Sequence, residues 1–79
     1  MELYDTVSDI LVGTFKVPAD QVSADATFEA LALDSLDLVE LTLVVEERTG
    51  IKIEDDEVER IRTVGDAVGL LTEKAGAAA

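Results

Sequence analysis

The sequence predicts an all-α fold: a small four-helix bundle of three longer helices and one short third helix, with a long loop between helices 1 and 2. Three observations carry this. Apolar residues recur at helical spacing in three separate stretches. Residue pairs that cap helix starts, Asp34 with Asp37 and Thr63 with Asp66, open two of them. Pro18 and Gly50 stand where helices stop. At 79 residues the chain is one domain, spanning 1–79, with a single small core.

Leu3, Val7, Ile10, Leu11 and Phe15 define an amphipathic first helix over about residues 3–16, which Pro18 ends by disfavouring the α conformation at Val17. Residues 17–33 show no clean period. Val22, Phe28, Leu31 and Leu33 are spread through them, so a loop pinned onto the core is expected, with a short turn of helix after Thr27. Asp34 is the N-cap of the second helix, Ser35 its first residue and Gly50 its left-handed terminator, with Arg48 suiting the dipole. Ile51 and Ile53 tuck inward around a solvated Lys52. Glu54 to Glu57 place acids at the start of a short helix that includes Val58 and Ile61. Val64, Ala67, Val68 and Leu71 form the stripe of the last helix. Gly69 inside it costs roughly 1 kcal/mol relative to Ala, so that helix leans on tertiary packing. The Ala-rich segment 75–79 is expected to fray.

The composition excludes several kinds of chemistry. The chain has no Cys and no His, hence no thiolate, no Ser-His-Asp triad and no imidazole-based metal site, and no catalytic residue is expected. Eighteen acids against six bases give a net charge of −12, which makes nucleic acid and anionic membrane surfaces poor partners and a basic protein the natural complement. Apolar residues make up 48% of the chain, enough for a globular core rather than a disordered acidic tail. No apolar run approaches the ~20 residues of a membrane span. The acidic start at Met1 is not a signal peptide, and the cytoplasm is the expected location.

The second helix carries the most information. Leu38, Leu41 and Val45 cluster on one side as the core stripe. Leu36, Glu40, Leu43 and Glu47 cluster nearly opposite, with Val39 at the edge. Interleaved leucines and carboxylates suit a protein-binding face, in which charge steers a basic partner and the leucines supply the desolvated contact. The alternative is a helix buried on both faces, against which Glu40 and Glu47 argue. Residues 34–59 hold ten acids and two bases, a net −8 of the −12 in about a third of the chain. An acidic run is usually a solvated face. The run at Glu54–Glu59 lacks the order and turn glycine of an EF-hand loop, so no dedicated metal site is expected, only diffuse Mg²⁺ or Ca²⁺ association.

Ser35 lies at a helix N-terminus, where a phosphate ester on its hydroxyl would meet unpaired N–H groups. On local sequence alone the plainer reading, a helix-start serine, is preferred. No residue present could activate it as a nucleophile, so any chemistry at Ser35 needs another protein.

The segment Phe28-Glu29-Ala30-Leu31-Ala32-Leu33-Asp34-Ser35-Leu36-Asp37 resembles the attachment motif of acyl carrier proteins. The similarity continues through Val39-Glu40-Leu41, Glu46-Glu47-Arg48, Gly50-Ile51-Lys52-Ile53 and the acidic run to Arg62-Thr63-Val64-Gly65-Asp66, and so covers nearly the whole chain. Three positions depart from the family pattern. Ala32 stands where Gly is usual, Thr49 where an aromatic is common, and Glu54 in place of a frequent Pro.

The resemblance implies that Ser35 is esterified by 4′-phosphopantetheine, donated by coenzyme A through a phosphopantetheinyl transferase, and that the arm's thiol holds acyl groups as thioesters. The borrowed sulfur agrees with a chain that has none in Cys. The implied partners are ketosynthase, acyltransferase, ketoreductase, dehydratase or other acyl-processing enzymes of fatty-acid or polyketide biosynthesis, with basic docking surfaces. Partner contacts map by position onto Asp34, Leu36, Asp37, Val39, Glu40, Leu43, Glu46 and Glu47, then Asp55, Asp56 and Glu59. An acyl-chain cavity would be lined by Val39, Val45, Val58, Ile61 and Ala67. Starting at Met1 and ending in its Ala-rich tail, the chain is expected to be free-standing and monomeric. Two alternatives stay open: an aminoacyl or aryl carrier of a nonribosomal peptide pathway, and an acidic helical adaptor that is never modified.

Overall fold

A computed structural model describes residues 3–78. It is a four-helix bundle: α1 (Leu3–Gly13), α2 (Ser35–Thr49), the short α3 (Asp55–Val58) and α4 (Val64–Ala78). Helix α1 packs on both α2 and α4, and α3 packs on α2. The core is aliphatic apart from Phe28. Val7, Ile10 and Leu11 of α1 meet Leu41 and Val45 of α2 and Val64, Ala67 and Leu71 of α4. Val58 and Ile61 close it beneath α3.

Helix α1 stops at Gly13, three residues short of the expected end. The chain reverses at Lys16, whose φ is 61°, and the Val17 N–H donates back to the Leu11 carbonyl at 3.0 Å. That reversal buries Val17, so the stop precedes the influence of Pro18. Helix α2 begins and ends where the sequence places it. The Asp37 N–H donates to Asp34 Oδ1 at 2.9 Å, and the Asp34 N–H donates to Asp37 Oδ2 at 3.2 Å, a reciprocal capping box. At the other end Gly50 adopts φ 75° and its N–H donates to the Glu46 carbonyl. Thr49 fastens the same end: its hydroxyl donates to the Val45 carbonyl at 2.7 Å and accepts from the Ile51 N–H at 3.1 Å.

Ile61 falls outside α3, contrary to expectation. The helix has four residues, after which i→i−3 bonds from Arg60 to Glu57 and from Ile61 to Val58 tighten the chain and turn Ile61 into the core. Helix α4 starts at the expected Thr63–Asp66 pair. It continues through Ala78. Ala is the best helix former, and three of the last four residues of α4 are Ala. Ala79, the end of the tail expected to fray, lies outside the described residues.

The long loop is pinned in two places. A single 3-10 turn forms at Ala19–Gln21. Further on, the segment 24–28 pairs with the start of α4: the Phe28 N–H donates to the Arg62 carbonyl, the Val64 N–H to the Ala26 carbonyl and the Gly65 N–H to the Ala24 carbonyl, each at 2.9 Å. Thr27 and Thr63 face each other as one antiparallel bridge. This pairing needs a glycine at 65, because a Cβ there would lie 2.9 Å from the Ala24 carbonyl oxygen. The short helical turn expected after Thr27 is present, with the Leu31 N–H donating to the Thr27 carbonyl at 3.1 Å, and it is closed by a Schellman arrangement. The Leu33 N–H donates to the Phe28 carbonyl and the Ala32 N–H to the Glu29 carbonyl, with Ala32 at φ 61°. Ala32 therefore occupies the left-handed position that explains the family's usual glycine.

Candidate functional site

Ser35 is the first residue of α2 and is exposed. The capping box fixes the backbone on either side of it, and the first-turn N–H groups of Ser35 and Leu36 can find no partner inside the helix. Beside Ser35 opens a groove of about 520 Å³, lined by Thr27, Phe28, Glu29, Leu33, Asp34, Leu38, Ile61 and Arg62. The groove is within the size range of small-molecule sites. Its floor is apolar and its rim polar. The Asp34 carboxylate is committed to the helix cap and is no base for the hydroxyl. The arrangement holds out an accessible alcohol and a place for a flexible chain to lie, and it provides nothing to activate that alcohol.

The outward stripe of α2 is exposed as the sequence predicts. Leu36 is 79% exposed, Leu43 59% and Val39 41%, values far above those of the core leucines. Glu40, Glu46 and Glu47 are exposed around them, and a shallow depression of about 520 Å³ lies among Glu40, Leu43, Val44, Glu46 and Glu47. Asp34 is exposed and Asp37 half-buried at the helix start, while Asp55, Asp56 and Glu59 are exposed on and after α3.

Of the five residues expected to line an acyl cavity, Val45, Val58, Ile61 and Ala67 are buried together in the core. Val39 is not with them. Its exposure places it on the outer stripe, because α2 turns its Leu41–Val45 side inward. Ile61 reaches furthest: it lines the groove beside Ser35 and also a second groove of about 410 Å³ between α3 and α4.

Two carboxylates titrate below the usual range. The Lys74 ammonium, 2.7 Å from Glu57 Oε1, holds the Glu57 carboxyl down, helped by the Glu54 N–H that donates to it at 2.9 Å. The Arg62 and Thr63 N–H groups hold Asp66 down, donating to its Oδ2 at 3.1 and 3.2 Å. Both pairs are structural, one tying α3 to α4 and the other capping α4. Among the described residues no three acids converge as a metal cage.

Sequence reasoning missed the groove itself. Thr27, Phe28, Glu29, Leu33 and Arg62 meet only because the loop pairs with the residues before α4. The sequence signals were slight: Phe28 and Leu33, two apolar residues ahead of the capping box, and Arg62, a base directly before the Thr63 cap.

The fold is a four-helix bundle whose second helix opens on an exposed serine. Comparison with known proteins places it. Residues 5–71 match the family described as "Phosphopantetheine attachment site". An acyl carrier protein of Petrotoga mobilis (strain DSM 10674 / SJ95) is 49% identical over 74 residues, covering 92% of this chain and 87% of that protein. The crystal structure of an acyl carrier protein from Thermotoga maritima superposes with a TM-score of 0.87 at 26% identity, covering 98% of this chain and 91% of that one. The chain belongs to the acyl carrier protein family, and its prosthetic group is 4′-phosphopantetheine. Among the described residues no helix is long and apolar enough to cross a membrane.

Proposed function

We propose that Ser35 bears the 4′-phosphopantetheine and that the chain presents acyl intermediates to partner enzymes of fatty-acid or polyketide biosynthesis in the cytoplasm. The observation that carries this is the exposed Ser35 at the mouth of an apolar-floored groove, inside the motif that resembles the family's attachment sequence. When bound, the group supplies a thiol that carries acyl chains as thioesters. The protein's own residues do the rest. The Asp34–Asp37 box keeps the Ser35 hydroxyl at a fixed point on α2 for the transferase. Phe28, Leu33, Leu38 and Ile61 give the arm an apolar path away from water. Val45, Val58, Ile61 and Ala67 are the aliphatic wall that an acyl chain would part.

Leu36, Val39 and Leu43, ringed by Glu40, Glu46 and Glu47 and continued by Asp55, Asp56 and Glu59, form the face for basic partner surfaces. Carboxylates speed encounter, and the exposed leucines provide the contact. Membership of the acyl carrier family disfavours the unmodified adaptor, and it favours acyl over aminoacyl cargo.

The test is direct. Incubation with coenzyme A and a promiscuous phosphopantetheinyl transferase adds one phosphopantetheine to the intact mass, and Ser35→Ala abolishes the gain. A gain that persists in Ser35→Ala would place the arm elsewhere, and no gain in the wild type would refute the reading.

A further inference from the structure

Arg62 is the one cationic side chain lining the groove beside Ser35. The other charged groups there are carboxylates, Glu29 and Asp34. Its backbone is held on both sides: the carbonyl accepts from the Phe28 N–H at 2.9 Å, and the N–H donates to Asp66 Oδ2 at 3.1 Å. Its guanidinium makes no ion pair, and its charge acts on Asp66 only as the weakest influence on that carboxyl. Among the described residues the single ion pair joins Lys74 to Glu57, and Arg62 is left without one although acids outnumber bases three to one. A guanidinium whose backbone is anchored, whose head has no close ion pair and whose groove contains the attachment serine is matched to an anion that arrives with the prosthetic group. Ser35 esterified by phosphopantetheine carries a phosphodiester, with one negative charge, at the mouth of that groove. Arginine's planar fork suits phosphate oxygens better than a point charge does.

We infer that the Arg62 guanidinium pairs with the phosphodiester at Ser35 and lays the first part of the arm along Phe28, Leu33, Leu38 and Ile61. Arg62 is a positioning residue, and the inference rests on Ser35 as the attachment point. It supplies a local cation where the surrounding helix starts and loops are strongly acidic, and it biases the arm toward the groove that Ile61 shares with the space between α3 and α4. Arg60 is the internal control. It carries the same charge two residues away but lines the other groove and not this one.

The experiment uses the phosphopantetheinylated protein, with intact mass confirming one arm on each variant. Phosphorus NMR is recorded for wild type, Arg62→Gln, Arg62→Lys and Arg60→Gln at about 10 mM and about 1 M salt, where the screening length falls from about 30 to about 3 Å. The wild-type resonance is expected to move with salt. In Arg62→Gln the resonance is displaced at low salt and its salt response is reduced, Arg62→Lys restores part of both, and Arg60→Gln matches the wild type. The inference is overturned if Arg62→Gln and wild type coincide at low salt, or if Arg60→Gln moves the resonance equally, since that is an effect of net charge alone. A wild type that never gains the arm overturns the Ser35 assignment, and this inference with it.

Discussion

Replacing Ala32 by Gly should stabilise the protein, the reverse of the usual effect of adding a glycine. Ala32 sits at φ 61°, at the turn that closes the loop just before the capping box. A residue with a Cβ loses roughly 1–2 kcal/mol in that conformation. Glycine removes that strain and adds back about 0.4–1 kcal/mol of unfolded-state entropy. The Ala32 methyl is exposed, so no buried contact is lost with it. The balance is a gain of roughly 0.5–1 kcal/mol, which for a domain of this size raises Tm by about 2–8 °C. The converse change is Gly50→Ala, at φ 75° with open space around the position, which should cost about 1 kcal/mol. Urea unfolding followed by far-UV circular dichroism measures both, with an unchanged slope showing that only stability moved. If Ala32→Gly is neutral or destabilising while Gly50→Ala behaves as expected, the left-handed strain at Ala32 is not what the backbone geometry implies.

Three further outcomes are expected. Gly65→Ala should destabilise by about 1–3 kcal/mol in the same assay, since its Cβ would meet the Ala24 carbonyl at 2.9 Å and part the loop from α4; an unchanged midpoint would show that the pairing yields freely. Asp66 titrates below the usual range, so its contribution is complete at neutral pH and is lost as pH falls through its depressed folded-state value. The stability gap between wild type and Asp66→Ala should accordingly be widest at pH 7 and close below about pH 4, and a gap that stays constant to pH 2 would contradict that linkage. Leu36→Ala and Glu40→Lys should slow partner-enzyme turnover of the loaded carrier by tenfold or so, about 1.4 kcal/mol, while melting as the wild type does; unchanged rates would remove the outer stripe of α2 from the interface.

Local chemistry made much of this legible in the sequence. The Asp34–Asp37 box, the Gly50 terminator and the Thr63–Asp66 cap are short-range devices, each written in residues no more than four apart, and each stands where the sequence places it. The outer leucines were legible because α2 has a definite period and a charged residue cannot be buried cheaply. What local pattern could not show is the pairing of 24–28 with 62–65. That contact joins segments almost forty residues apart, it holds Arg62 in the groove that Ser35 also lines, and it leaves no room for a Cβ at Gly65. Lys16 and Ala32 were illegible for a related reason. Both adopt a conformation their own propensities oppose, held by the backbone hydrogen bonds that close each turn and by the burial of Val17 and Leu31 beside them.

Helix α2 serves three purposes at once, and their spacing constrains how the carrier works. Leu41 and Val45 anchor it in the core, Ser35 opens it, and Leu36, Val39 and Leu43 face out. The outer three span eight residues, about 10 Å along the axis. So short a hydrophobic stripe cannot supply the roughly 800 Å² per partner of a lasting interface without the acids around it. On the proposed reading that is an advantage, because a carrier must release each enzyme to visit the next. Charge then sets the encounter rate, while the small apolar contact keeps dissociation fast. Leu36 directly follows Ser35, so a partner that reads the stripe is already at the root of the arm. Arg62 lies on the groove side of that root, where a partner docked on the outer stripe need not displace it. Docking and arm placement can therefore be altered separately, by Leu36→Ala and by Arg62→Gln, and their effects on turnover should add in the double variant.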